Sequence, residues 1–85
     1  MKPLLFTHHA PDRMRERSIA AEWLERTVRE PEWVEPNRGD PAVERRFRSI
    51  PEFGDRVLRV ACVETDTHIR VISVHFDRRA RPRRA

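Results

Sequence analysis

Apolar positions change their period partway along the chain. In "IAAEWLERTVRE" (19–30), Ile19, Trp23, Leu24 and Val28 fall at i, i+4, i+5 and i+9, which places them on one stripe of a helix. Ser18 reads as the N-cap of that helix, and Pro31 lies just beyond its end. "THHAPDRMRER" (7–17) predicts an earlier helix, with Thr7 as N-cap, Pro11 in the tolerated first turn, and Ala10 and Met14 facing a core that Ile19 joins. Prolines and glycines at 31, 36, 39, 41, 51 and 54 then separate this helical front from a β-rich back.

From residue 42 the period is two. "AVERRFRSI" (42–50) alternates Val43 and Phe47 with Glu44, Arg46 and Arg48. "RVLRVACVE" (56–64) is apolar on both faces, as in a central strand, and "HIRVISVHF" (68–76) sets Ile72, Val74 and Phe76 opposite Ser73 and His75. Trp33 and Val34 suggest a short edge strand. The connections "PEFGD" and "DT" are short enough for antiparallel hairpins. The predicted fold is α+β: two N-terminal helices packed on a three- to four-stranded antiparallel sheet. Residues 1–77 form the domain, and 78–85 form a basic tail read as flexible.

The helices have one stripe to bury, so they should cover one face of the sheet. If Phe47, Leu58, Val60, Cys62, Ile72, Val74 and Phe76 form that face, the open face displays Glu44, Arg46, Arg48, Arg59, Ser73 and His75, with Arg70 at the rim.

Hydrophobic and charged residues each make up 38% of the chain, so the core is thin, and no apolar run approaches the ~18 residues of a membrane span. The opening "MKPLLFTHHAPDR" is too short in apolar residues for a signal peptide, and the lone Cys62 reads as a buried small hydrophobe. A cytoplasmic location is expected. No metal or nucleotide cofactor is expected either: His8 and His9 are adjacent instead of one turn apart, and no glycine-rich loop exists.

Charge changes this picture most at the C-terminal end. Residues 1–66 carry twelve basic and thirteen acidic groups, whereas Arg70, Arg78, Arg79, Arg81, Arg83 and Arg84 face only Asp77 beyond them. Arginine suits bidentate phosphate contacts, so an anionic partner such as RNA is one reading; an acidic protein partner, or ordinary solvated charge, is another. Metal-free RNA cleavage needs a base, an acid and cations. His75, Glu44, Arg46 and Arg59 are the candidate catalytic set, and Arg48, Arg70, Arg78 and Arg79 are candidate nucleic-acid contacts. His9, Arg13 and Arg17, spaced i, i+4, i+8, share a helix face that extends the same surface or pairs with nearby acids. For His75 the plain alternative is a half-exposed strand residue beside Ser73; for the strand arginines it is pairing with Glu44 and Glu64.

The stretch "THHAPDRMRERSI" resembles the opening of the domain-of-unknown-function family 4258, whose pattern H-A-x-x-R-M-x-x-R-x-I is matched at His9, Ala10, Arg13, Met14, Arg17 and Ile19. The likeness spans roughly residues 5 to 77. The last strand, "RVISVH" at 70–75, is similar to the R-[IV]-I-S-A-R of BrnT-type toxins, with His75 where they carry arginine. The resemblance implies a RelE/barnase-like fold, ribonuclease toxins among its members, and a paired antitoxin as partner. The chain departs from RelE-like sites in lacking tyrosine and in holding its one lysine at Lys2. Three readings follow: a metal-independent ribonuclease toxin, a non-catalytic nucleic-acid-binding module, and an antitoxin- or partner-binding domain.

Overall fold

Hairpins this short leave the chain little choice but to zip its β half into a meander. The structure, a computed structural model, describes residues 1–81; Arg83 and Arg84 of the expected tail lie outside them. The elements are β1 (Leu4–Phe6), α1 (Ala10–Glu16), α2 (Ala21–Arg29), β2 (Trp33–Pro36), β3 (Glu44–Ile50), a 3-10 turn (Pro51–Phe53), β4 (Arg56–Glu64) and β5 (Ile69–Phe76). The sheet order is β1-β5-β4-β3-β2, with β2 to β5 antiparallel and β1 parallel to β5.

The α+β class and both helices are as expected, and Trp33 and Val34 do lie on an edge strand. The sheet, however, has five strands and is mixed. β1 is three residues long, too short to show a period, and its partner lies at the other end of the domain. Both expected N-caps are displaced. Thr7 binds β5 instead, donating its backbone N–H to the Val71 carbonyl at 3.0 Å and its hydroxyl to the Ile72 carbonyl at 3.1 Å. His9 and Ala20 hold the cap positions.

Ser18 sits at the end of α1 with φ 55°, and the Ile19 N–H closes onto the Met14 carbonyl at 2.9 Å. This is a left-handed helix stop of the kind glycine serves at least cost. Ser18→Gly should therefore stabilise the domain by about 0.5 kcal/mol, raising the melting midpoint by roughly 2–4 °C in differential scanning calorimetry. A lower midpoint would contradict it.

Cross-strand partners share a face, so the register decides which side each residue serves. Arg46, Val60 and Val74 align across β3, β4 and β5, and Phe47, Arg59 and His75 align on the other side. The helices cover the first set. Leu24 and Val28 of α2, with Met14 and Ile19, pack on Ile50, Leu58, Val60, Cys62, Ile69, Val71 and Val74. The expected face was thus right for β4 and inverted for β3. Phe47, only 3% exposed, is buried on the side away from the helices, stacked on Trp33 with centroids 4.9 Å apart. Glu44, Arg46 and Arg48 lie on the helix side.

β5 contains one irregularity. Ala61 pairs with Ser73 and Cys62 with Val71, which leaves Ile72 as an extra residue. This bulge lets Val71 and Val74 both reach the core. It also puts Arg70, opposite Val63, on the same face as His75, so Arg70 does not follow the parity of Val74.

Candidate functional site

His75 is delivered by the last turn of the sheet ladder. Its partner across the ladder is Arg59, whose guanidinium donates to His75 Nε2. A guanidinium can only donate, so Nε2 accepts, and the ring is the neutral Nδ1–H form. Arg59 also donates to Asp77 Oδ2 at 3.2 Å. Asp77 Oδ1 accepts the backbone N–H groups of Arg79 and Ala80 at 2.9 and 3.2 Å, which folds the start of the basic segment back on the domain.

β1 stops at Phe6, so the outer edge of β5 beyond Val71 has no strand beside it. α1 takes that place. Arg17 donates to the otherwise open Val74 carbonyl at 2.8 Å. His9, Arg13 and Arg17 then line a groove of about 250 Å³ together with Ile72, Ser73 and His75. The helix stripe and the strand residue, separate constellations in the sequence, meet at this edge.

The groove sets the protonation of its histidine. Burial first, then the charges of Arg59 and Arg17, lower the His75 pKa, with Asp77 working the other way. Burial raises the Asp77 pKa, but the N–H groups of Arg79 and Ala80 and the Arg59 charge outweigh it and hold the carboxyl below its ordinary value. Protonating His75 would remove the acceptor that Arg59 uses and place a third cation beside Arg59 and Arg17. A histidine with a depressed folded pKa contributes stability that is fully present above its unfolded value of ~6.5 and is lost as pH falls through the folded value. The melting midpoint should therefore fall as pH drops from 6.5 toward 5, and His75→Asn should flatten that part of the profile. An unchanged slope in the variant would assign the effect elsewhere.

The other expected site residues lie apart. Arg46 is 8% exposed and spans the C-terminal end of α2, donating to the Val28 carbonyl at 2.9 Å and to Glu44 and Glu64 at 3.0 and 2.8 Å. Arg48 donates to the Glu30 carbonyl. Both arginines satisfy carbonyls left open at the helix end, where a cation is also favoured by the helix dipole. Glu44 is held in the Arg46 pair, and Lys2 and Arg46 hold Glu64 at about 2. Glu44, Arg46 and Arg48 are thus on the face opposite His75 and cannot act with it. Arg70 is exposed on the His75 side of the sheet, near β1, and Arg79 is exposed beyond Asp77.

Two further arginines complete the site, one expected as a nucleic-acid contact and one not. Arg56 and Arg78 line a second groove of about 250 Å³ with Phe53 and Phe76, and Arg17 and His75 line both grooves. Arg78 is the expected nucleic-acid contact at the start of the basic tail; Arg56 is not singled out by the sequence. Its place in the strand could have drawn notice, since residue 56 opens β4 next to a hairpin turn. Among the described residues, no three metal-ligating side chains cluster, and no helix is long and apolar enough to cross a membrane.

Together these features define a class: a small α+β domain in which helices back one face of a mixed sheet and a histidine among arginines lines one sheet edge. The chain belongs to the family described as Domain of unknown function (DUF4258), whose model matches residues 6–76. No curated protein and no solved structure matches it.

Proposed function

We propose that this protein is a metal-independent ribonuclease acting at the α1–β5 edge, in keeping with the toxin of a bacterial toxin–antitoxin pair, the activity implied by the resemblance of its sequence to RelE-like and BrnT-type toxins. The observation that carries the reading is His75, held neutral in a groove whose other charged groups are cations. Arg13 and Arg17 have no carboxylate partner among the described residues, so they are available to a phosphate.

A phosphodiester in the groove would draw the Arg59 guanidinium from the ring, and Nε2 would then take the 2′-hydroxyl proton. The 2′-oxygen bonds to phosphorus, the bond to the 5′-oxygen breaks, and that leaving oxygen takes a proton from solvent water, with the His9 ring lining the same groove. Arg13 and Arg17 offset the charge that builds on the phosphate oxygens. The products are a cyclic 2′,3′-phosphate and a free 5′-hydroxyl.

One observation favours a non-catalytic nucleic-acid-binding role instead: the Nε2 lone pair is already taken by Arg59. Purified protein incubated with total RNA in EDTA separates the two. The ribonuclease reading expects fragments with cyclic phosphate ends; salt-dependent binding with intact RNA would replace it by the binding reading.

A further inference from the structure

Next to the His75 groove is a ring cluster that the cleavage chemistry does not use. Phe53 of the 3-10 turn and Phe76 of β5 have centroids 4.9 Å apart, and Trp23 of α2 packs behind them at 5.5 and 6.2 Å. The exposed Arg56 lays its guanidinium over both phenylalanines, 5.1 and 5.2 Å from the ring centroids. No carboxylate among the described residues pairs with Arg56 or Arg78. A cation backed by two rings and open on its outer side presents a flat, charged plane.

This plane lies in the second groove, whose lining includes His75 and Arg17 of the first. The second groove in turn shares Arg56 and Arg78 with a third hollow, of about 380 Å³, that Arg81, Asp55 and the Arg59-paired Asp77 also line. Three hollows joined by shared arginines make a basic track around the end of β5. His75 and Phe76 are consecutive strand residues and point to opposite faces, so a chain following the track turns around the sheet edge.

The geometry points to a base-stacking subsite: Arg56, supported by Phe53 and Phe76, receives one unstacked base of single-stranded RNA whose neighbouring phosphate lies between Arg17 and Arg78. The inference rests on the RNA reading of the His75 groove and adds a substrate class to it. A duplex cannot use the subsite, because its bases are stacked inward and its backbone is too stiff to turn the edge, whereas splayed bases stack readily on arginine planes and aromatic rings. Arginine is required over lysine, since an ammonium has no plane to offer.

The test measures binding by fluorescence anisotropy in EDTA, with the His75→Asn protein to prevent turnover. The ligands are an eight-nucleotide RNA, the same RNA annealed to its complement, and RNAs with one abasic position moved along the strand. Expected results are at least tenfold weaker binding of the duplex, and at least fivefold weaker binding with the abasic site at one or two central positions. Arg56→Lys should reproduce the abasic loss and remove its position dependence. Equal affinity for single strand and duplex, or an Arg56→Lys protein that binds like its parent, would overturn the subsite and leave the RNA reading standing. Absence of binding to any of the RNAs would overturn both. Near-ultraviolet circular dichroism of the Arg56→Lys protein confirms that the Trp23–Phe53–Phe76 cluster is intact.

Discussion

Arg46→Ala should lower the melting midpoint by about 10–20 °C, the largest stability loss expected of any charged residue in the domain. The substitution leaves the Val28 carbonyl at the end of α2 without its donor and separates Glu44 and Glu64 from their shared cation. Breaking a fully buried ion pair costs roughly 3–5 kcal/mol. Glu44 and Glu64 keep 42% and 37% of their side-chain surface in water, so they rehydrate once freed. The penalty is accordingly nearer 2–3 kcal/mol, most of it from the helix-end carbonyl and the lost packing of the arginine stem. For a domain of 85 residues that converts to the stated midpoint shift. Arg46→Met keeps the stem and should recover about half of it. A midpoint within 2 °C of the parent for Arg46→Ala would show that α2 does not depend on this residue. At a temperature where the methionine variant is folded, it should bind RNA as the parent does, because Arg46 is on the face opposite His75.

His75→Asn should reduce metal-free RNA cleavage by about 10²- to 10⁴-fold, the range set by loss of a positioned base. Asparagine is chosen because it keeps an uncharged polar group in the groove while removing the ring, and Asp77 still holds Arg59. RNA affinity should stay within about threefold of the parent, since Arg13 and Arg17 supply the phosphate contacts and exchanging a neutral imidazole for an amide changes no charge at pH 7. The parent's cleavage rate should hold below pH 6.5, because a histidine with a lowered pKa remains a base there. A cleavage rate within threefold of the parent would remove His75 from the catalytic role and shift attention to His9.

The β half of the fold was readable because its strands are long enough to show a period and its hairpins are short. α2 was readable for the same reason, through a four-residue apolar stripe. What the pattern could not set was the phase of β3. Alternation shows that Phe47 and Arg46 oppose each other, but not which of them meets the helices. The usual preference puts the aromatic ring inward, and here Trp33 gives that ring a second place to be buried. The open carbonyls at the end of α2 then draw Arg46 and Arg48 inward. A sequence signal for this did exist: Glu44 and Glu64 bracket Arg46 across two strands, which is more acid than a solvated arginine needs.

The bulge at Ile72 left no such mark. It reverses the relation between Arg70 and His75, and period-two counting through it fails by one residue. The candidate site was legible in two halves. His75 and Arg59 on the open face were found by parity, and His9, Arg13 and Arg17 by helical spacing. Their meeting depends on β1 pairing in parallel with β5, a contact between the two ends of the domain that a three-residue strand could not announce.

That end-to-end contact has a consequence for how the protein is made. Leu4, Leu5 and Phe6 leave the ribosome well before their partners and cannot pair until Ile69, Arg70 and Val71 have followed. Until then α1 has no strand edge to lie against, and Arg17 has no Val74 carbonyl to hold. A nascent chain stopped before residue 69 carries the histidine and arginines of α1 without a groove, and a chain stopped before residue 75 has an edge without its histidine. The domain completes its site only as synthesis of the sheet ends.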